Sequence, residues 1–127
     1  MQDKYTYEYA LIRIVPKVER EEFFNVGVIL FSKRKKYLGI KVKIDDAKLK
    51  VFNSEVELHQ FQDYLNAWKQ VCEGSPSSGK IGQLELSDRF RWLTANRSTI
   101  IQSSKTHPGI HSDPEKALQE IFDKYVL

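Results

Sequence analysis

Between Arg89 and His107 the chain gathers Arg89, Arg91, Arg97, Ser98, Gln102, Ser104 and His107, more donors than most structural duties require. Guanidiniums, hydroxyls and an imidazole around a helix end and a short strand can bind a carboxylate or phosphate, with His107 as acid or base. The same residues can equally form an internal network in which arginines satisfy backbone carbonyls and acidic caps such as Asp88 and Asp113. Exposure separates the two: convergence on an open pocket makes a ligand site, and internal pairing makes scaffold.

A second constellation is basic. Lys33, Arg34, Lys35 and Lys36 fill one turn, and Lys41 and Lys43 follow on one strand face, with Lys48 and Lys50 just beyond. Such a hairpin can track a phosphate backbone, with Tyr37 as a stacking surface; the alternative is that the lysines keep an exposed sheet edge soluble.

Other motifs carry less. Gly74 to Lys80 has the Gly-x4-Gly-Lys spacing of a phosphate loop, but Ile81 stands where Ser or Thr must hold magnesium, and the preceding element is a helix. Cys72 falls on the apolar stripe of that helix and reads as a buried structural thiol. His107 and His111 are four apart, but Pro108-Gly109 between them breaks a helix, so no metal site is assigned. Neither is any cofactor.

Elements must position these groups. Tyr5 to Val15 has Ala10, Ile12 and Ile14 on one face and Tyr9, Leu11 and Val15 on the other, which predicts a central strand covered on both sides and stopped by Pro16. Asn25 to Phe31 and Leu38 to Ile44 predict a hairpin with one solvated face. Asp45-Asp46 caps a short helical turn through Leu49 and Phe52, and Ser54-Glu55-Val56-Glu57 has capping-box spacing. Leu58, Phe61, Leu65, Trp68 and Cys72 then recur as a helical stripe ending at Gly74. A short helix is expected around Asp88 to Asn96, a short strand over Thr99 to Gln102, and irregular chain from Ser103 to Ser112. Asp113-Pro114 opens a last helix with Leu118, Ile121, Phe122 and Tyr125 as its core face. The fold class is α+β: an antiparallel sheet of three to four strands packed with three or four helices.

With 127 residues, 41% of them hydrophobic and 29% charged, the chain suits one domain over 1–127, Gly74 to Gly79 being an internal loop. A lone cysteine excludes an intramolecular disulfide, the first residues lack the apolar stretch of a signal peptide, and no run approaches the roughly 20 residues of a membrane span. A cytoplasmic protein is expected.

Tyr9 to Pro16, Arg20 to Val28, Arg89 to Ala95, Arg97 to Ser104, His107-Pro108-Gly109 and Asp113-Pro114 together resemble a small uncharacterised bacterial family of unknown function, across nearly the whole chain. This chain departs from its pattern at Asn96, where proline is usual, and within Lys105-Thr106. Residue-level matching singles out Arg13, Glu22, Asn25, Arg91, Ser98, Gln102 and His107. The resemblance implies a partner, since members are often encoded beside a HipA-like kinase of the toxin-antitoxin type. It implies no reaction. The leading expectation is therefore a non-enzymatic accessory protein that binds or regulates such a kinase. The alternatives are nucleic-acid binding through Lys33 to Lys36, and an enzyme or binder for an anionic ligand at the Arg89 to His107 motif.

Overall fold

β1 (Tyr5–Lys17) is the strand around which the rest assembles. A computed structural model describes residues 3–17, 22–51, 56–95, 97 and 99–127. β2 (Glu22–Ser32) pairs with β1, and β3 (Tyr37–Val42) with β2. β4 (Ile101–Ser103) and β5 (His107–His111) both pair with β1, on its other side. All pairings are antiparallel, so the sheet runs β3-β2-β1-β4 with β5 continuing the β4 edge. Four helices complete the α+β fold: α1 (Asp46–Val51), α2 (Leu58–Glu73), α3 (Leu86–Leu93) and α4 (Pro114–Tyr125).

The two faces of β1 go to two cores, as its alternation requires. Ala10, Ile12 and Ile14 join Phe61, Leu65 and Trp68 of α2 and Phe90 and Leu93 of α3. On the opposite face Tyr9 and Leu11 pack with Val28, Leu30 and the α4 residues Leu118, Ile121 and Phe122. Each such side chain contributes roughly 1.5–3 kcal/mol when fully buried, so the sheet is held from both sides. Tyr125 is not part of this face; it is 40% exposed, and Ala117 and Val126 are buried with α4 instead.

The expected solvated face of the β2–β3 hairpin is covered. β2 is buried continuously from Val26 to Ser32, because α4 lies over the face that the lysines of β3 suggested was open. Pro16 does not end β1; the β1–β2 register shifts between Ile14 and Lys17, and an irregular stretch tolerates a residue without an N–H.

Residues 107–111 are a strand rather than irregular chain. β1 is long enough that its first half offers Tyr5 to Tyr9 as a pairing edge, and tertiary pairing overrides the Pro-Gly signal. β4 and β5 are one broken strand: Ile12 faces Ser103, but Tyr9 faces His107, so one extra residue lies between them. Ser104 fills the break. Its N–H donates to the Leu11 carbonyl at 2.8 Å, and its Oγ accepts the Leu11 N–H at 2.8 Å, replacing the lost ladder bond.

Helix ends follow the local chemistry. Asp113 Oδ1 accepts from Glu115 N–H at 3.0 Å and Pro114 stands at the first helical position. Asp45 Oδ1 accepts from Ala47 N–H at 3.0 Å to start α1. Phe52, and Ser54 and Glu55 of the capping-box reading, lie outside the described residues. α2 starts after Glu57, whose N–H donates to Gln60 Oε1 at 2.9 Å, and ends at Gly74 with φ of +69°. No helix of the described residues is long and apolar enough to cross a membrane.

Cys72 is buried at the end of α2, its thiol directed at the Leu38 carbonyl at 3.5 Å. Burial pushes this thiol up from 9.0 to about 12 and the nearby Tyr37 phenol up from 10.0 to about 12. Both ionise first in the unfolded chain, so they favour the fold below their ordinary values, and that contribution is lost as the pH climbs from about 9 to about 12. A thiol reagent at about pH 8 is expected to leave native protein unlabelled and to label it fully in denaturant. Rapid labelling without denaturant would show that the α2–β3 contact opens.

Candidate functional site

The described residues of the arginine-rich motif point in different directions. Arg89 lies against the C-terminal end of α2 and donates from Nη1 to the carbonyls of Val71 (3.3 Å) and Cys72 (3.1 Å). Those carbonyls belong to the last turn, where cations are stabilising and acceptors lack helical partners. Arg91 points the other way, making a bidentate pair with Glu8 of β1 at 3.1 and 2.6 Å. Arg97 stacks its guanidinium 4.2 Å from the Trp92 ring, lies 6.0 Å from Trp68, and donates to the Trp92 carbonyl. Burial lowers its pKa.

Gln102 donates to the Thr99 carbonyl at 2.9 Å, and Ser104 serves the strand break. His107 is exposed, its ring 5.3 Å from that of Tyr9. Ser98 lies outside the described residues. His111 is on the same strand as His107; its Nδ1 accepts the Asp113 N–H at 2.9 Å, which leaves the proton of the neutral ring on Nε2, toward Glu120 at 3.4 Å. Among the described residues no group of three or more His, Cys, Asp or Glu could hold a metal ion.

Three of the residues singled out by family matching do meet. Arg13 stands directly opposite Asn25 on β2 and Gln102 on β4, a row across three strands. Asn25 Nδ2 donates to the carbonyl of Tyr125 at the end of α4 (3.3 Å), and the Arg13 guanidinium lies 4.2 Å from the Phe23 ring. Of this row, Asn25 ties the C-terminus of α4 to the sheet, as Arg89 ties that of α2. Glu22 opens β2 opposite Lys17 and is exposed.

The six cations of the nucleic-acid reading do not form one surface. Lys33, Arg34, Lys35 and Lys36 are an exposed turn, but Arg34 and Lys35 fold over the Tyr5 ring at 5.7 and 4.8 Å. Lys41 is drawn onto α4, donating to Gln119 Oε1 with its ammonium 5.4 Å from the Phe122 ring. Lys43 lies apart, in a cleft beside α2.

What sequence reasoning missed is the outer edge of β3, along which no strand of the described residues pairs. Lys43 N–H donates inward to the Val26 carbonyl at 2.7 Å, so the backbone groups of Lys41, Gly39 and Tyr37 also face β2. Those of Leu38, Ile40 and Val42 therefore point out of the sheet. They open on a cleft of about 580 Å³ between the end of α2 and the start of α4, bounded by Cys72, Glu73, Asp113, Glu115, Leu118 and Gln119. A further cleft of about 350 Å³ continues past Val42 along α2, beside Gln62, Leu65, Asn66 and Lys69. Gln62, Asn66, Lys69 and Glu73 have helical spacing and could have been read as a second, polar stripe; that it walls a groove needed the strand order.

The opposite edge is blunted. Leu11 bonds outward to Ser104, so in β1 the odd-numbered residues face β5 and, by register, so do His107, Gly109 and His111 of β5 toward β1. Pro108 and Ile110 face away, and proline has no N–H to offer a further strand.

No curated protein and no solved structure matches this chain. Residues 9–126, all of the fold but the first four residues of β1, match the model of a family described as protein of unknown function DUF3037, and the chain belongs to that family.

Proposed function

We propose that this chain is a non-enzymatic binding module that holds an extended segment of a protein partner by strand addition at β3. The observation that supports it is the outward-facing peptide groups of Ile40 and Val42, beyond the Leu38 carbonyl that the Cys72 thiol approaches, opening on a cleft walled by helices on both faces. Strand addition draws affinity from main-chain hydrogen bonds and specificity from alternate side chains, and needs such an edge. A HipA-like kinase, implied by the sequence resemblance, is the candidate partner, with the module acting as its accessory or regulator.

Ile40→Pro removes one outward N–H while leaving the β2-facing bonds in place, so kinase co-purification is expected to fall with this variant. One hydrogen bond and the added ring should weaken binding by at least about tenfold. In the wild type, hydrogen exchange at the Ile40 and Val42 amides should slow when the kinase is bound. Equal co-purification of both proteins, or unchanged exchange at those amides in the complex, would remove strand addition from consideration.

A further inference from the structure

We infer, resting on that reading, that the β3 groove admits a lone extended segment and rejects a second copy of this chain. The segment has apolar residues at alternate positions, a carboxylate at the end beside Lys43 and Lys69, and a cation at the end beside Glu73 and Glu115. The first limit is steric. α2 packs over β3 itself, close enough for Cys72 to reach the outward Leu38 carbonyl at 3.5 Å. Paired strands lie about 4.8 Å apart, whereas packed helices need about 8–10 Å between axes. Two copies joined through β3 would thus bring two α2 helices into one space. A segment carrying no helix over its own strand meets only the Cys72 thiol at the Leu38 end, so its main-chain bonds fall at Ile40 and Val42.

The walls set the pattern. On the α2 side the base of the groove is apolar, Leu38, Ile40 and Val42 of the sheet with Leu65 and Cys72, while Gln62, Asn66, Lys69 and Glu73 form its polar rim, so every second residue that reaches the base is apolar. On the α4 side Tyr37 lies across Gly39, with its hydroxyl 2.2 Å from where a Gly39 Cβ would stand. This leaves room for small or polar residues. Charge differs between the ends. Among the described residues, the cleft past Val42 is lined by Lys43 and Lys69 and by no carboxylate. The cleft at Tyr37 to Lys41 has Glu73, Asp113 and Glu115 against Lys41 and Lys116, and Lys41 is engaged by Gln119. An acid at one end and a base at the other also fixes strand direction.

The probe is a display library of short randomised peptides selected on the full chain. Enrichment of period-two apolar peptides with opposite charges at their ends is expected. The double variant Lys43→Glu, Lys69→Glu should weaken them about tenfold and select a cation at that end instead. Ile40→Pro should lose them all. Should that variant misfold, N-methylation of the enriched peptide gives the same information from the other side: one alternating set of amides must abolish binding and the other leave it. Peptides with helical apolar spacing, or a mass that doubles with concentration and reverts in Ile40→Pro, would overturn the inference. Peptides that depend on Ile40 but ignore the lysine reversal would overturn the charge pattern and leave strand addition standing. No enrichment, or enrichment that ignores Ile40, would overturn both.

Discussion

Gly27→Ala is expected to destabilise the protein by about 3 kcal/mol, the upper end for inserting a methyl into a packed interior. Gly27 lies in β2 between Ile12 of β1 and Val42 of β3. A Cβ there would be 2.6 Å from the Lys41 carbonyl oxygen and 2.6 Å from Val42 Cγ1. The carbonyl is backbone in a paired strand and cannot swing aside, so β3 itself must move. Gly79→Ala is the control. Nothing lies within 4 Å of a Cβ there, and only its backbone, φ of +71° with ψ of −158°, resists substitution, a cost of about 1–3 kcal/mol. Urea unfolding should show Gly27→Ala below Gly79→Ala at unchanged slope. Equal midpoints would mean that β2 and β3 do not approach as closely as described.

The arginines should separate in the same way. Arg89→Met is expected to cost about 2 kcal/mol, because hydrogen bonds to charged groups are worth about 1.5–3 kcal/mol and the Cys72 carbonyl would lose the guanidinium while that of Val71 keeps only the Gly74 N–H. Arg91→Met removes a pair whose Arg91 side chain is 55% exposed and whose Glu8 is 34% exposed, and such pairs are worth about 1 kcal/mol or less. Denaturation at low and high salt adds a second axis: the Arg91 effect should shrink with salt, while that of the partly buried Arg89 contacts persists. If Arg89→Met proved neutral in stability, its place as a brace on α2 would fail, and with it the scaffold interpretation of the motif.

Much of the fold was legible in residues that act locally. The alternation over Tyr5 to Val15, the stripe from Leu58 to Cys72, the Gly74 stop and the Asp113-Pro114 start each report on chain neighbours, and each stands where its pattern placed it. The misses share a cause. Residues 107–111 become a strand only because β1 is long enough to pair with them, and Val28 and Leu30 on the lysine-bearing face of the hairpin are buried only because α4 returns across them, Lys41 itself staying exposed. Neither fact is local.

The motif was harder for a different reason. A dense run of arginine, serine and histidine looks the same whether it binds a ligand or satisfies helix carbonyls, and only direction distinguishes them. Arg89 and Arg91 are two residues apart on α3, so they diverge, one toward α2 and one toward β1. Arg13, Asn25 and Gln102 lie far apart in sequence yet share a row, which no spacing could reveal.

Pro108 on the outer edge of β5 bears on stoichiometry. A sheet that could be extended on both sides would allow copies and partners to chain head to tail, and an open heterologous contact of that kind grows into a filament. Here one edge lacks a donor at its centre and is offset by the extra residue at Ser104, while the other is overhung by α2. If partners add at β3 as proposed, each molecule would accept one strand and pass none on. Assembly would then stop at a one-to-one complex, and raising the concentration of either component would add more complexes rather than longer ones.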